Sequence, residues 1–152
     1  MLAHTHFVIA LAVGSYAFDN IHNTLIGGIF FYYLVLLVAA VLPDIDQTGS
    51  MINKAFTFTA IIPWFFKHRG FFHSIWPLLI GSIGLYFVHP LVSTAFFIGY
   101  GSHLVSDSFT KAGVNWLYPC KFKIQGPLKT GSIGEGIIFF ACIVALISYF
   151  FA

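Results

Sequence analysis

Five carboxylates and seven histidines are scattered over 152 residues, and half of them fall into three short motifs. Asp44-Ile45-Asp46 follows Pro43 at the end of an apolar run. Two carboxylates spaced that way can bridge or cap a pair of ions. His68-Arg69-Gly70-Phe71-Phe72-His73 sets two imidazoles about a glycine that permits a bend. His103-Leu104-Val105-Ser106-Asp107 has i, i+4 spacing, which puts both side chains on one helix face. Two ligands on one rigid helix lose little entropy on taking up an ion. Imidazole nitrogen with carboxylate oxygen is the ligand set of zinc and of mixed binuclear sites. The expected ligands are His4, Asp44, Asp46, His68, His73, His103 and Asp107, enough for one or two divalent ions with open positions. Zinc comes first, with manganese or magnesium as alternatives. Asp46 or Glu135 would act as general base, because an essential carboxylate need not ligate. Arg69 is the expected clamp for a phosphate oxyanion, since guanidinium binds phosphate bidentately. Lys67 and Lys111 would add point charge. The chain has no Gly-x-Ser-x-Gly elbow and no His-Glu-x-x-His, and neither Cys120 nor Cys142 lies beside a histidine. Covalent catalysis and zinc-protease chemistry are therefore disfavoured.

These residues must be positioned by apolar elements. The chain is 59% hydrophobic and only 8% charged, where a soluble domain carries about 25% charge. That composition excludes disorder, collagen and basic nucleic-acid-binding arms, and a net charge of +2 is too small to argue for a polyanion partner. Two cysteines make no disulfide framework. The expected fold is all-α: one domain, 1–152, a polytopic membrane bundle of about five transmembrane helices. The spans read as 2–18, 24–42, 74–88, 91–107 and 133–152. The apolar piece 55–66 is too short to cross and contains Pro63, so it reads as a re-entrant or interfacial helix. The first apolar run lacks a basic stretch ahead of it and does not read as a cleaved signal peptide. With five spans, every Lys and Arg falls on one side of the membrane, while Asp19–Asn23 and His89–Pro90 on the other side carry none. The positive-inside rule makes the basic side, and with it the N-terminus, cytoplasmic. Four of the five acids and five of the seven histidines gather on that face. His22 and His89 read as structural groups of the outer turns, and His4 or His6 would otherwise be interfacial anchors.

The motifs also carry a resemblance. Leu42-Pro43-Asp44-Ile45-Asp46, His68 to Ser74, and Gly101 to Asp107 followed by Thr110-Lys111-Ala112-Gly113-Val114 and Tyr118-Pro119 resemble the YdjM family. These are bacterial inner-membrane proteins described as metal-dependent hydrolases. The likeness runs from His4 to Thr130-Gly131-Ser132 and Glu135. The order is also similar to a reduced form of the helical zinc phospholipase C and nuclease superfamily, whose zinc cluster cuts phosphodiesters. The later His-x-x-x-Glu pattern of that group is missing, and only Glu135 remains, which implies one or two ions rather than three. A site at the cytoplasmic interface is most easily reached by a lipid headgroup. The expected substrate is therefore a phosphoester or phosphodiester of a membrane lipid or lipid-linked intermediate, with the bilayer and no nucleic acid as partners and the oligomer left open. The alternative is a non-catalytic metal-binding or metal-transporting membrane protein. Spans one, three and four carry no acid or histidine at their midplanes and no inverted repeat is evident, which weighs against transport. A structural subunit whose histidines merely pack is the third reading.

Overall fold

A computed structural model describes residues 1–18 and 26–151. The chain is largely helical: α1 (Ala3–Phe18), α2 (Ile26–Val41), α3 (Met51–Ala55), α4 (Ile62–Phe65), α5 (Ile75–Tyr86), α6 (Pro90–Ser108) and α7 (Ile133–Phe151). One short antiparallel pair, β1 (Val114–Asn115) with β2 (Lys123–Ile124), follows α6. The polar break at 19–23, with Asp19 and His22, lies outside the described residues. His89 closes the turn between α5 and α6: its Nδ1 accepts the Leu91 N–H at 3.2 Å, and Pro90 begins α6 where a missing N–H costs nothing.

The expectation of five full-length spans meets a length limit. Two stretches, Gly28–Asp46 and Ile133–Phe151, are long and apolar enough to cross a membrane. α1 has 16 residues and α5 has 12, about 24 and 18 Å at the helical rise, short of a hydrocarbon core of about 30 Å. α6 has 19 residues, but it spends its inner face on Ser93, His103, Ser106, Asp107 and Ser108. The piece at 55–66 is not one helix. A 3-10 turn at Thr57–Ile61 leads into α4, with Pro63 in its first turn. Phe58, Trp64 and Phe65 on this piece face outward.

α6 is central and packs on α2, α5 and α1. Its approach to α2 depends on Gly99, where a Cβ would stand 2.3 Å from the Leu36 carbonyl oxygen. Close backbone contact at small residues is how helices associate where lipid removes the hydrophobic drive. Hydroxyl bonds lock the neighbours: Tyr32 donates to the Gly14 carbonyl at 2.9 Å, and Ser93 to the Ser82 carbonyl at 2.7 Å. The arrangement is inside out for a protein in water. His6, His73, His103, Asp46 and Asp107 are buried, while Phe30, Phe31, Phe87 and Phe140 are exposed. In α7 the buried residue is Glu135, whereas Ile137, Val144 and Phe150 point away from the protein. A helix whose acid is inside and whose phenylalanines are outside fits lipid as its solvent.

Candidate metal centre

The i, i+4 pair on α6 lands where the sequence placed it, with His103 and Asp107 buried on the inner face of the helix. Asp44 and Asp46 arrive on the 3-10 turn Leu42–Asp46 that ends α2, and His73 on the 3-10 turn Phe71–His73. Around one small space stand the Nε2 atoms of His6, His73 and His103, all buried and all without a hydrogen-bond partner. Carboxylates face them at distances too long for hydrogen bonds. Asp44 Oδ1 lies 3.6 Å from His73 Nε2 and 3.7 Å from His103 Nε2. Asp107 presents Oδ1 at 3.5 Å from His6 Nε2 and Oδ2 at 4.0 Å from His73 Nε2. Metal bonds of 2.0–2.1 Å in a tetrahedron place ligand atoms about 3.3 Å apart. A buried imidazole nitrogen left bare costs free energy unless something fills the space before it.

The far side of each ring explains why Nε2 is bare. His103 Nδ1 donates to the Ala40 carbonyl at 2.7 Å. His73 Nδ1 lies 3.2 Å from Asp46 Oδ2. His6 Nδ1 lies 2.9 Å from Ser106 Oγ, whose own hydrogen goes to the His103 carbonyl at 3.0 Å, so the imidazole is the donor. All three protons are thereby assigned to Nδ1 by the network, leaving three Nε2 lone pairs aimed inward. This is the outer-shell support that metal-ligating histidines use. Burial works against a charged His73, but the Asp44 and Asp46 carboxylates outweigh it and lift its pKa above the ordinary histidine value.

Asp46 does not face this space. Its oxygens take His68 Nδ1 at 2.8 Å, His73 Nδ1 at 3.2 Å and the Arg69 N–H at 3.2 Å. Facing the space, His6, Asp44 and His103 are close enough to hold an ion, as are His73, His103 and Asp107; Asp46, His68 and His73 form a second, separate group that shares His73. Arg69 is already engaged as well. Its Nη2 lies 2.7 Å from Asp107 Oδ2, and its Nη1 donates to the Gly113 carbonyl at 2.6 Å. The left-handed residue of the bend is Arg69, at φ 61°, and not Gly70. Gly70 is required by crowding instead, since a Cβ there would meet the Lys67 carbonyl oxygen at 2.7 Å.

Two expected residues are not brought to the cluster. His4 is exposed and meets the Phe139 ring edge-on at 5.3 Å. His6, which the motif reading passed over, takes its place. Positions two apart point to nearly opposite sides of a helix, and His6 shares its face with Ala10 and Gly14, the small residues on which α1 packs. That stripe was the available signal. Glu135 accepts the Leu2 N–H at 2.6 Å and the Gly131 N–H at 2.7 Å, so it ties the start of α1 to α7 rather than facing the histidines. The α-amino group of Met1 in turn meets Asp107 Oδ1.

Asn53 was also missed. Its amide donates to the Ile45 carbonyl at 3.0 Å and the Gln47 carbonyl at 2.9 Å, and its oxygen accepts from Thr59 at 2.7 Å. It thus clamps the turn that carries both aspartates. Asn53→Ala is expected to lower stability by about 1–3 kcal/mol for the buried groups left unpaired. It should also weaken metal affinity about 10–100-fold, as loss of an outer-shell partner does. Thermal unfolding with and without added zinc checks both; unchanged values would remove Asn53 from the support of the site.

The profile of the YdjM inner membrane protein family matches residues 1–152. The chain belongs to the YdjM family. It is 33% identical over 119 residues to the Bacillus subtilis (strain 168) protein "Uncharacterized protein YvsG", covering 75% of this chain and 74% of that one. It is 25% identical over 157 residues to "Inner membrane protein YdjM" of Escherichia coli (strain K12), covering 97% of this chain and 80% of the relative. No solved structure matches. The family and its named relatives support an inner-membrane location for this YdjM family member, in agreement with its exposed apolar helices.

Proposed function

We propose that this protein is a membrane-bound metal-dependent hydrolase acting on a phosphoester or phosphodiester of a lipid or lipid-linked substrate. In this reading five helices enter the bacterial inner membrane, α1 and α5 without spanning its full thickness, and the N-terminus and the site lie on the cytoplasmic side. The observation that carries it is the convergence of three unpartnered buried imidazole nitrogens on the carboxylates of Asp44 and Asp107. His6, Asp44 and His103, or His73, His103 and Asp107, would hold an ion, with the histidines offering Nε2. When bound, a divalent ion such as zinc polarises a phosphoryl oxygen and lowers the pKa of water from about 15.7 towards about 7.

The remaining steps belong to the chain's own residues. Asp46 holds the proton-bearing Nδ1 of His68 and of His73, which fixes both rings. His68 is partly exposed, and its Nε2 is the atom free to serve a reacting group. Water oxygen bonds to phosphorus as the bond from phosphorus to the leaving oxygen breaks. The His68 Nε2 lone pair takes the proton released by the water and passes it to that leaving oxygen, so the ring ends as it began. Arg69 holds Asp107 in place from one side while keeping part of its guanidinium open to the pocket it lines.

The test is to purify the protein in detergent, measure bound metal, and offer phosphoester lipids with zinc or manganese. Bound metal with released phosphate or phosphorylated headgroup supports the reading. Bound metal with ion flux in liposomes and no turnover would replace it with transport, and absence of metal would leave packing histidines. A pH dependence is also expected. Because the Asp44 and Asp46 carboxylates outweigh burial and raise the His73 pKa, its Nε2 takes up a proton on acidification, and an entering ion must then displace it. Apparent zinc affinity should therefore rise with pH and fall on acidification, with proton release on binding. Chelator competition between about pH 6 and about pH 8 measures the slope; a flat profile would count against His73 as a ligand.

A further inference from the structure

Two cavities adjoin the cluster. One, of about 720 Å³, is a slot between α1, α5, α6 and α7, walled by Val13, Leu78, Phe97, Gly101, Val105 and Ile138. Val13, Phe97 and Val105 are half exposed, so the slot opens sideways where lipid would lie. The other, of about 350 Å³, is lined by Lys67, His68, Arg69, Lys121 and Lys123, four of the chain's seven Lys and Arg. No carboxylate lines it among the described residues. β1 and β2 put Asn115 opposite Lys123 at this pocket, and Asn115 Oδ1 is buried without a partner. Asp107, buried and lining neither cavity, is held by one residue from each: Met1 of the slot meets its Oδ1, and Arg69 of the basic pocket meets its Oδ2.

We infer that the two cavities are halves of one site for a lipid that carries a further negative charge beyond its first phosphate. The hydrocarbon chain fills the slot, the phosphoester lies beside Asp107, and the second anionic group sits among Lys67, Lys121 and Lys123. An apolar cavity open to the bilayer takes hydrocarbon at no desolvation cost, and clustered cations with no acid demand an anion. As a statement about substrate this rests on the hydrolase reading above; as a statement about binding it does not.

Gly101 provides the probe. A Cβ there has only Leu78 Cδ2 near it, at 4.0 Å, so a larger side chain enters the slot without backbone collision. The ligands are a brominated alkyl diphosphate, an alkyl trimethylammonium of the same chain, and inorganic diphosphate. Binding is read by quenching of Trp116, which lines the slot, with Trp116→Phe identifying its share of the signal. For inorganic diphosphate, calorimetry replaces quenching. The alkyl diphosphate is expected to bind at least about tenfold more tightly than either comparison ligand. Gly101→Phe should remove the advantage of the chain and leave inorganic diphosphate binding and metal content unchanged. The double variant Lys121→Gln, Lys123→Gln should remove the advantage of the charge. If Gly101→Phe fails to fold, Gly101→Leu and Ile138→Trp fill the same slot from two helices. Unchanged alkyl diphosphate affinity in the slot variants would overturn the inference, as would inorganic diphosphate binding equally well. So would an altered oligomeric state without altered lipid binding, since a second copy would then own the slot. Lipid binding in a protein without metal would support this site while ending the hydrolase reading. Metal and turnover with no effect of the slot variants would do the reverse.

Discussion

Asp107→Ala and His103→Ala are each expected to strip the purified protein of metal. Outer-shell partners typically account for about 10–100-fold in affinity, so loss of a direct ligand should exceed about 100-fold. The two variants test the same centre through different failures. Asp107 lies between the Arg69 guanidinium and the Met1 amine, and removing it leaves two part-buried cations without their carboxylate, which destabilises the fold by itself. His103→Ala removes a neutral ring and leaves only the Ala40 carbonyl without its donor, a cost of about 1–3 kcal/mol. The His103 variant should therefore fold, keep its fluorescence and melt sharply, yet gain no thermal stability from added zinc. Wild-type protein should lose stability on chelation, because an ion bound to the native state alone stabilises it by mass action. Elemental analysis beside unfolding curves reads both effects. Full metal content and an intact zinc-induced shift in both variants would sink the centre.

His68→Gln should have the opposite signature: metal retained and turnover reduced roughly 10²–10⁴-fold, the range a positioned proton donor contributes. The reason lies in which nitrogen is occupied. His68 gives Nδ1 to Asp46 at 2.8 Å and stands at the rim of the basic pocket, whereas His6 and His103 give Nδ1 to a hydroxyl and a carbonyl and aim Nε2 inward. Asp46→Asn should share the defect in turnover and add a loss of metal affinity, since Asp46 also fixes His73. Metal stoichiometry decides between this role and the second group formed by Asp46, His68 and His73. If His68→Gln loses one of two ions, His68 is a ligand and the proton belongs elsewhere.

The difference between legible and illegible residues has a physical cause. His103 and Asp107 could be paired in advance because an α-helix fixes the relation of i and i+4 whatever surrounds it. Asp44 could be placed at a helix end because Pro43 stops the run before it. His4 and His6 sit on one helix too, but which of them turns inward depends on the helices that cover α1, and its one trace in the sequence is the small-residue stripe of Ala10 and Gly14 on the His6 face. Arg69 looked like a free phosphate clamp, and only the fold shows that Asp107 and the Gly113 carbonyl already hold it. Glu135 looked like a base, and Asn53 looked like nothing. Their work is to satisfy backbone groups at 131, 2, 45 and 47, and such groups acquire partners only when the chain has folded.

By itself, then, the amino-acid order determined that the chain is helical and apolar and that its scarce imidazoles and carboxylates are of the types that could hold an ion, because composition and helical period act locally. Which nitrogen of each ring is bare, which aspartate faces inward, and that one residue of a greasy slot and one of a cationic pocket both hold Asp107 were decided by the tertiary structure. Those features arise from contacts between residues up to 106 positions apart, and no local pattern encodes them.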